Sequence, residues 1–81
     1  MNAVKIPKSV TLPGGYKIAV RLVPVRVLRD RWNDPDLDAV WVHDEMTMYI
    51  RDNANLRDTV WFFKHEMLHA VWDWVDARYK A

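Results

Sequence analysis

From Asn55 to its end the sequence contains neither glycine nor proline. Those two residues break helices, so the whole stretch is free to form a single one. Asn55 is a good N-cap, and Asp58, three residues on, acts as a capping-box acid near the positive helix end. Leu56, Val60, Phe63, Met67, Val71 and Trp74 recur at spacings of three and four. The spacing predicts one helix over 56–79 with that stripe on the core. The rest of the 81 residues must supply the surface on which the stripe packs.

The segment before the helix carries strand and turn signals. Val10-Thr11-Leu12 runs into Pro13-Gly14-Gly15, a turn cluster. Tyr16, Ile18, Val20 and Leu22 then alternate with Lys17, Ala19, Arg21 and Val23, the period of a half-buried strand. Together they predict a β-hairpin. After Pro24, Val25 to Leu28 resumes an alternation and reads as an edge extension of the strand or a separate short piece. Residues 30–38 read as a long, mobile loop. Ala39–Val42 and Thr47–Ile50, separated by His43-Asp44-Glu45-Met46, read as a second hairpin with an acidic tip. The expected fold is α+β: a small antiparallel sheet of three to five strands packed against one long C-terminal helix. One domain over 1–81 is expected, with hairpins and loop in 1–52 and the helix in 55–79.

A chain this small buries only ~60% of its unfolded surface, and such domains are often reinforced by disulfides or metals. There is no cysteine. That excludes thiol catalysis, Cys-ligated zinc and a disulfide scaffold. Any metal must be held by His, Asp, Glu or water.

The helix supplies such a set. His65-Glu66-Met67-Leu68-His69 has the form HExxH. Residues four apart lie on one helical face, so two imidazoles can converge on one metal, with Glu66 beside them to take a proton from water. The chain has three His and two Glu. Random placement at this composition produces the pentad in roughly 0.3% of such chains, so it is read as a metal site, His65 and His69 being the ligands. The alternative is a helix with two surface histidines and an incidental glutamate. On a helical wheel the His face lies nearly opposite the core stripe, yet it carries Trp61, Phe62 and Trp72 beside Asp73 and Asp76. Three large aromatics suit a cleft or a covered surface; packing under the 30–38 loop is the plainer alternative.

The opening KIPKSV, the hairpin around Gly-Gly-Tyr, the strand pair ending in Ile50-Arg51-Asp52 and the helix reading WFFKHEMLHAVWD resemble the small phage and prophage metallopeptidase-like proteins of the zincin group. The resemblance covers most of the chain, and its specific element is HExxH followed by Ala70. It implies a minimal zincin-like fold and a zinc-dependent peptide hydrolase acting on a peptide or protein. If the chain is phage-encoded, the cytoplasm expected for it is that of the host cell. His65 and His69 match the ligands and Glu66 the general base.

The sequence departs from that pattern at the third ligand. Twelve residues follow His69 and none is Glu; the extension HExxHxxGxxH is absent, because Trp72 and Val75 stand in its place. The remaining candidates are Asp73, Asp76, His43, Asp44 and Glu45. Asp73 is about 12 Å of helical rise from His65, better suited to orient the His69 ring than to coordinate directly. His43 could reach the helix if the 43–46 tip folds over it. Two imidazoles and waters would also hold zinc, more weakly. A second function class therefore stands beside the first: a non-catalytic phage or prophage binding protein that grips a host protein with Trp61, Phe62 and Trp72.

Net charge is +1, which gives no broad attraction to nucleic acid or anionic lipid. Arg26, Arg29 and Arg31 beside Trp32 are offset by Asp30, Asp34, Asp36 and Asp38, so nucleic acid is not an expected partner. The N-terminus lacks the apolar core of a signal peptide, and no stretch approaches the ~18 apolar residues of a membrane span. The cytoplasm is the expected location.

Overall fold

The computed structural model describes residues 6–80. Residues 1–5, including the first residue of KIPKSV, and Ala81 lie outside the described residues. Strand β1 (Ser9–Leu12) and strand β2 (Tyr16–Val23) pair antiparallel, with Leu12 opposite Tyr16. The turn between them needs glycine. Gly14 and Gly15 have φ of +90° and +76°, a region that costs a residue with a side chain.

Pro24 ends β2, and the chain enters helix α1 (Val25–Arg31) where an edge extension of the strand or a separate short piece was expected. Four residues reading Val-Arg-Val-Leu alternate, but Val25 and Leu28 are also one helical turn apart, and Leu28 is fully buried. Strand β3 (Ala39–Val42), a short 3-10 turn at His43–Glu45 and strand β4 (Thr47–Arg51) follow as the expected hairpin. Met46, with φ of +51°, closes the tip in the left-handed region without a glycine.

The fold is α+β as expected: a four-stranded sheet and a long C-terminal helix. The sheet, ordered β1-β2-β4-β3, is mixed where an antiparallel one was expected, because β2 and β4 run parallel with Val20 opposite Met48. A parallel pair needs a crossover of a dozen or more residues. The chain from 24 to 46 provides it, with α1 and β3 inside. The rest of the expected mobile loop is tied down. Arg29 donates from Nε to the Leu37 carbonyl at 3.1 Å, and the Asp38 carboxylate accepts from Arg51 at 2.8 Å and Arg29 at 3.3 Å.

Helix α2 (Leu56–Lys80) is one unbroken element. The Asn55 side chain accepts from the Asp58 backbone N–H at 2.8 Å, which is the cap its sequence predicts. Near its C-terminal end, Trp74 donates to the Pro13 carbonyl at 3.0 Å, tying the helix to the β1–β2 turn. The core cluster under α2 is Val20, Met48 and Ile50, with Phe62, Phe63 and Met67 packed against it. Tyr49 alternates away from Met48 and Ile50. Its ring meets Trp32 at 5.4 Å, so the end of α1 covers the opposite face.

The helix is rotated relative to the predicted stripe. Thr59, Glu66 and Ala70 are its buried residues, whereas Leu56 is exposed and Val60, Met67 and Val71 are only half-buried. At 100° per residue the buried face has turned by roughly 80°. The pattern is ambiguous because apolar residues span well over half the circumference, while most of the acids and both histidines share the remaining arc. Polar groups with partners then decide the phase, as the site shows.

Candidate metal centre

One turn of α2 carries the three donors. A nitrogen from His65, a carboxylate oxygen of Glu66 and a nitrogen from His69 lie within 4.8 Å of one another. The helix alone achieves this, since positions 65 and 69 are one turn apart. The two imidazoles stand edge to face with centroids 5.1 Å apart. Trp61, one turn earlier, stacks on His65 at 5.1 Å with planes 10° apart, which restricts the ring's rotation. Both histidines are exposed, whereas Glu66 is buried.

Glu66 is buried because α2 lies against the edge strand β3. Burial pushes its carboxyl above the ordinary value. The imidazoles of His69 and His65 and the backbone N–H of Trp41 pull it part of the way back. A buried carboxyl needs such partners, because an unpaired one costs several kcal/mol. A cleft of about 270 Å³, lined by Trp41, Glu66, His69, Trp72 and Asp73, opens beside it.

Asp73 lies on α2 one turn past His69. Its Oδ2 accepts from Trp41 Nε1 at 2.6 Å and lies 3.3 Å from His43 Nδ1. The 43–46 tip therefore does come to the helix, and it meets Asp73. The polar contacts the structure gives Asp73 run to β3 and the tip; the expected one to the His69 ring is not among them. Glu45 pairs with Arg31 and accepts from the Tyr49 hydroxyl, which draws it to the α1 side of the sheet. Asp44 and Asp76 are exposed. Among the described residues the cluster able to hold a metal comprises His65, Glu66 and His69 alone.

The three aromatics of the His face separate. Trp61 and Trp72 are 60% and 74% exposed. Phe62 instead packs against the core cluster, with the Arg51 guanidinium 5.3 Å from its ring centroid. None of them is explained by the 30–38 loop alone. Trp41 is the site residue that sequence reasoning missed. It sits in an ordinary alternating run, and its partners lie 25 and 32 positions downstream. Tyr16, outside the cleft lining, lies within the electrostatic reach of Asp73. Its hydroxyl is buried without a hydrogen-bond partner among the described residues. Burial raises its pKa, and the nearby Asp73 charge adds to the effect.

The donor set suits a divalent metal. Two imidazoles are typical zinc ligands, and a carboxylate beside them completes either a shell or a base. The exposed ring faces leave room for water. No protein-family model, no curated protein and no solved structure matches the chain.

Proposed function

We propose that the chain is a zinc-dependent peptide hydrolase of the zincin kind. The observation that carries the reading is the convergence of His65, Glu66 and His69 within 4.8 Å on one turn of an unbroken helix. His65 and His69 hold the ion, the first braced by Trp61. Bound there, zinc supplies Lewis acidity, bringing the pKa of a water near 7 and polarising a carbonyl.

Glu66 does the proton work. Its carboxylate takes a proton from the attacking water and returns it to the amine nitrogen as the C–N bond breaks. One carboxyl must serve as base and then as acid, which favours a pKa above the ordinary carboxylate value, the direction in which burial pushes Glu66. The cleft between Trp41 and Trp72 admits the peptide and limits the water around it. Asp73 holds the Trp41 indole and the His43 tip in place along one wall. The setting we propose is the cytoplasm, that of a host cell if the chain is phage-encoded. No helix among the described residues is long and apolar enough to cross a membrane.

The second reading, a binding protein without catalysis, is favoured by the exposure of Trp61 and Trp72. Metal analysis separates the two. Protein purified without chelator should carry about one zinc per chain, and His65→Ala should carry none. Wild type should cleave an unstructured protein substrate such as casein, and Glu66→Gln should bind zinc without cleaving. A wild type free of zinc at micromolar concentrations of the ion leaves the binding reading in place.

A further inference from the structure

Eight large hydrophobic residues stand exposed among the described residues, and six of them lie on α2. Five of those six, Trp61, Leu68, Trp72, Val75 and Tyr79, fall on one line together with His65. The steps along it are four, three, four, three and four residues. A repeat of 3.5 residues is the seam along which one helix lies against another. By helical phase this seam is diametrically opposite Ala70, which is fully buried against the rest of the fold. Among the described residues nothing covers it. Its exposures are high: 71% at Leu68, 74% at Trp72 and 86% at Tyr79.

We propose that this seam is the interface of a homodimer, in which α2 lies antiparallel against α2 of a second copy. The seam is complementary to itself. Reversed about Ala70, it sets Trp61 opposite Tyr79, His65 opposite Val75 and Leu68 opposite Trp72. Each aromatic then meets either another ring or a branched aliphatic, and every position is used in both copies, as a two-fold contact requires. The seam runs from Trp61 to Tyr79, 18 steps or about 27 Å at 1.5 Å per residue. The area is also adequate. At ~200 Å² for a large aromatic, the three exposed rings present about 450 Å². Leu68 and Val75 bring the total to about 600 Å². Two such faces bury about 1,200 Å² together, the lower end of the range for a specific interface. The seam passes through His65, so the second copy covers one side of the histidine pair. The dimer does not rest on the hydrolase reading and is tested apart from it.

The test is sedimentation velocity on the full chain in EDTA over a range of about 5–200 µM. The expected species has twice the 9.7 kDa chain mass. Leu68→Glu places a carboxylate opposite Trp72 of the second copy, at both ends of the two-fold. It should weaken association on the order of 100-fold or more. Leu68 is exposed in the single chain, so its far-UV circular dichroism should not change; if it does, Tyr79→Glu near the helix end makes the same test. Lys17→Glu on the exposed side of β2 should leave association as it was. A chain that stays monomeric to the highest concentration overturns the proposal. So does a dimer indifferent to both seam variants, or one that forms only with zinc and vanishes in His65→Ala. A monomer that sediments with anionic phospholipid vesicles through Leu68 assigns the seam to a lipid surface and also overturns it.

Discussion

Asp73→Ala is the most informative single substitution outside the metal cluster. In the folded chain the Asp73 carboxylate joins α2 to β3 and to the hairpin tip, through Trp41 Nε1 at 2.6 Å and His43 Nδ1 at 3.3 Å. A hydrogen bond to a charged group contributes about 1.5–3 kcal/mol. The Asp73 side chain is 33% exposed, which places the Trp41 bond at the lower end, about 1.5–2 kcal/mol. The His43 side chain is 58% exposed, so that pair adds no more than about 0.5 kcal/mol. The variant should lose about 2 kcal/mol, and for a domain of this size that is a fall in Tm of roughly 8–16 °C. Thermal melts of Asp73→Ala, Trp41→Phe and the double variant form a cycle. The coupling should be about 1–1.5 kcal/mol; losses that add to within about 0.5 kcal/mol would refute the clasp. Zinc titration of Asp73→Ala should change by less than about threefold, because the oxygen that binds Trp41 and His43 is not part of the histidine cluster. A loss of 100-fold would make Asp73 a ligand after all.

Three further outcomes are expected. Glu66→Gln should alter the pH dependence of stability in metal-free protein. The wild-type carboxyl is raised on folding from its ordinary 4.5, so its contribution is full below that pH and is lost as pH rises through the folded value. Wild type should therefore lose Tm relative to the variant as pH climbs from about 4.5, and parallel Tm profiles in EDTA would contradict this. Met67→Asp should cost about 2–4 kcal/mol in a urea melt, because Met67 packs against the Val20–Met48–Ile50 cluster; an unchanged midpoint would detach it from the core. Tyr16→Phe removes a buried hydroxyl without a partner among the described residues, so its Tm should hold or rise by the equivalent of up to ~1 kcal/mol. A clear fall would mean that the hydroxyl does make a hydrogen bond.

What could be read along the chain was whatever depends on near neighbours. The β1–β2 hairpin follows from a Pro-Gly-Gly cluster and an eight-residue alternation, and both glycines do take positive φ. The long helix follows from the absence of breakers after Asn55 and from the cap that Asn55 makes. The convergence of His65, Glu66 and His69 is local too, being the geometry of one helical turn. These features need no knowledge of the rest of the fold.

Tertiary structure decided the features that depend on distant pairings. Val25–Leu28 suits a strand or a helix equally well. It became helix because β2 and β4 pair parallel and the chain must cross between them. The apolar residues of α2 span well over half its circumference, so periodicity could not say which part of that arc faces the sheet. That choice fell to Trp41, 25 residues before Glu66 and 32 before Asp73. Its backbone N–H and indole offer the two carboxylates hydrogen bonds where α2 meets β3. A helix can turn apolar residues outward at the cost of some exposed surface. It cannot bury Glu66 and half-bury Asp73 without donors, and those donors sit on a strand that reaches the helix only when the sheet has formed.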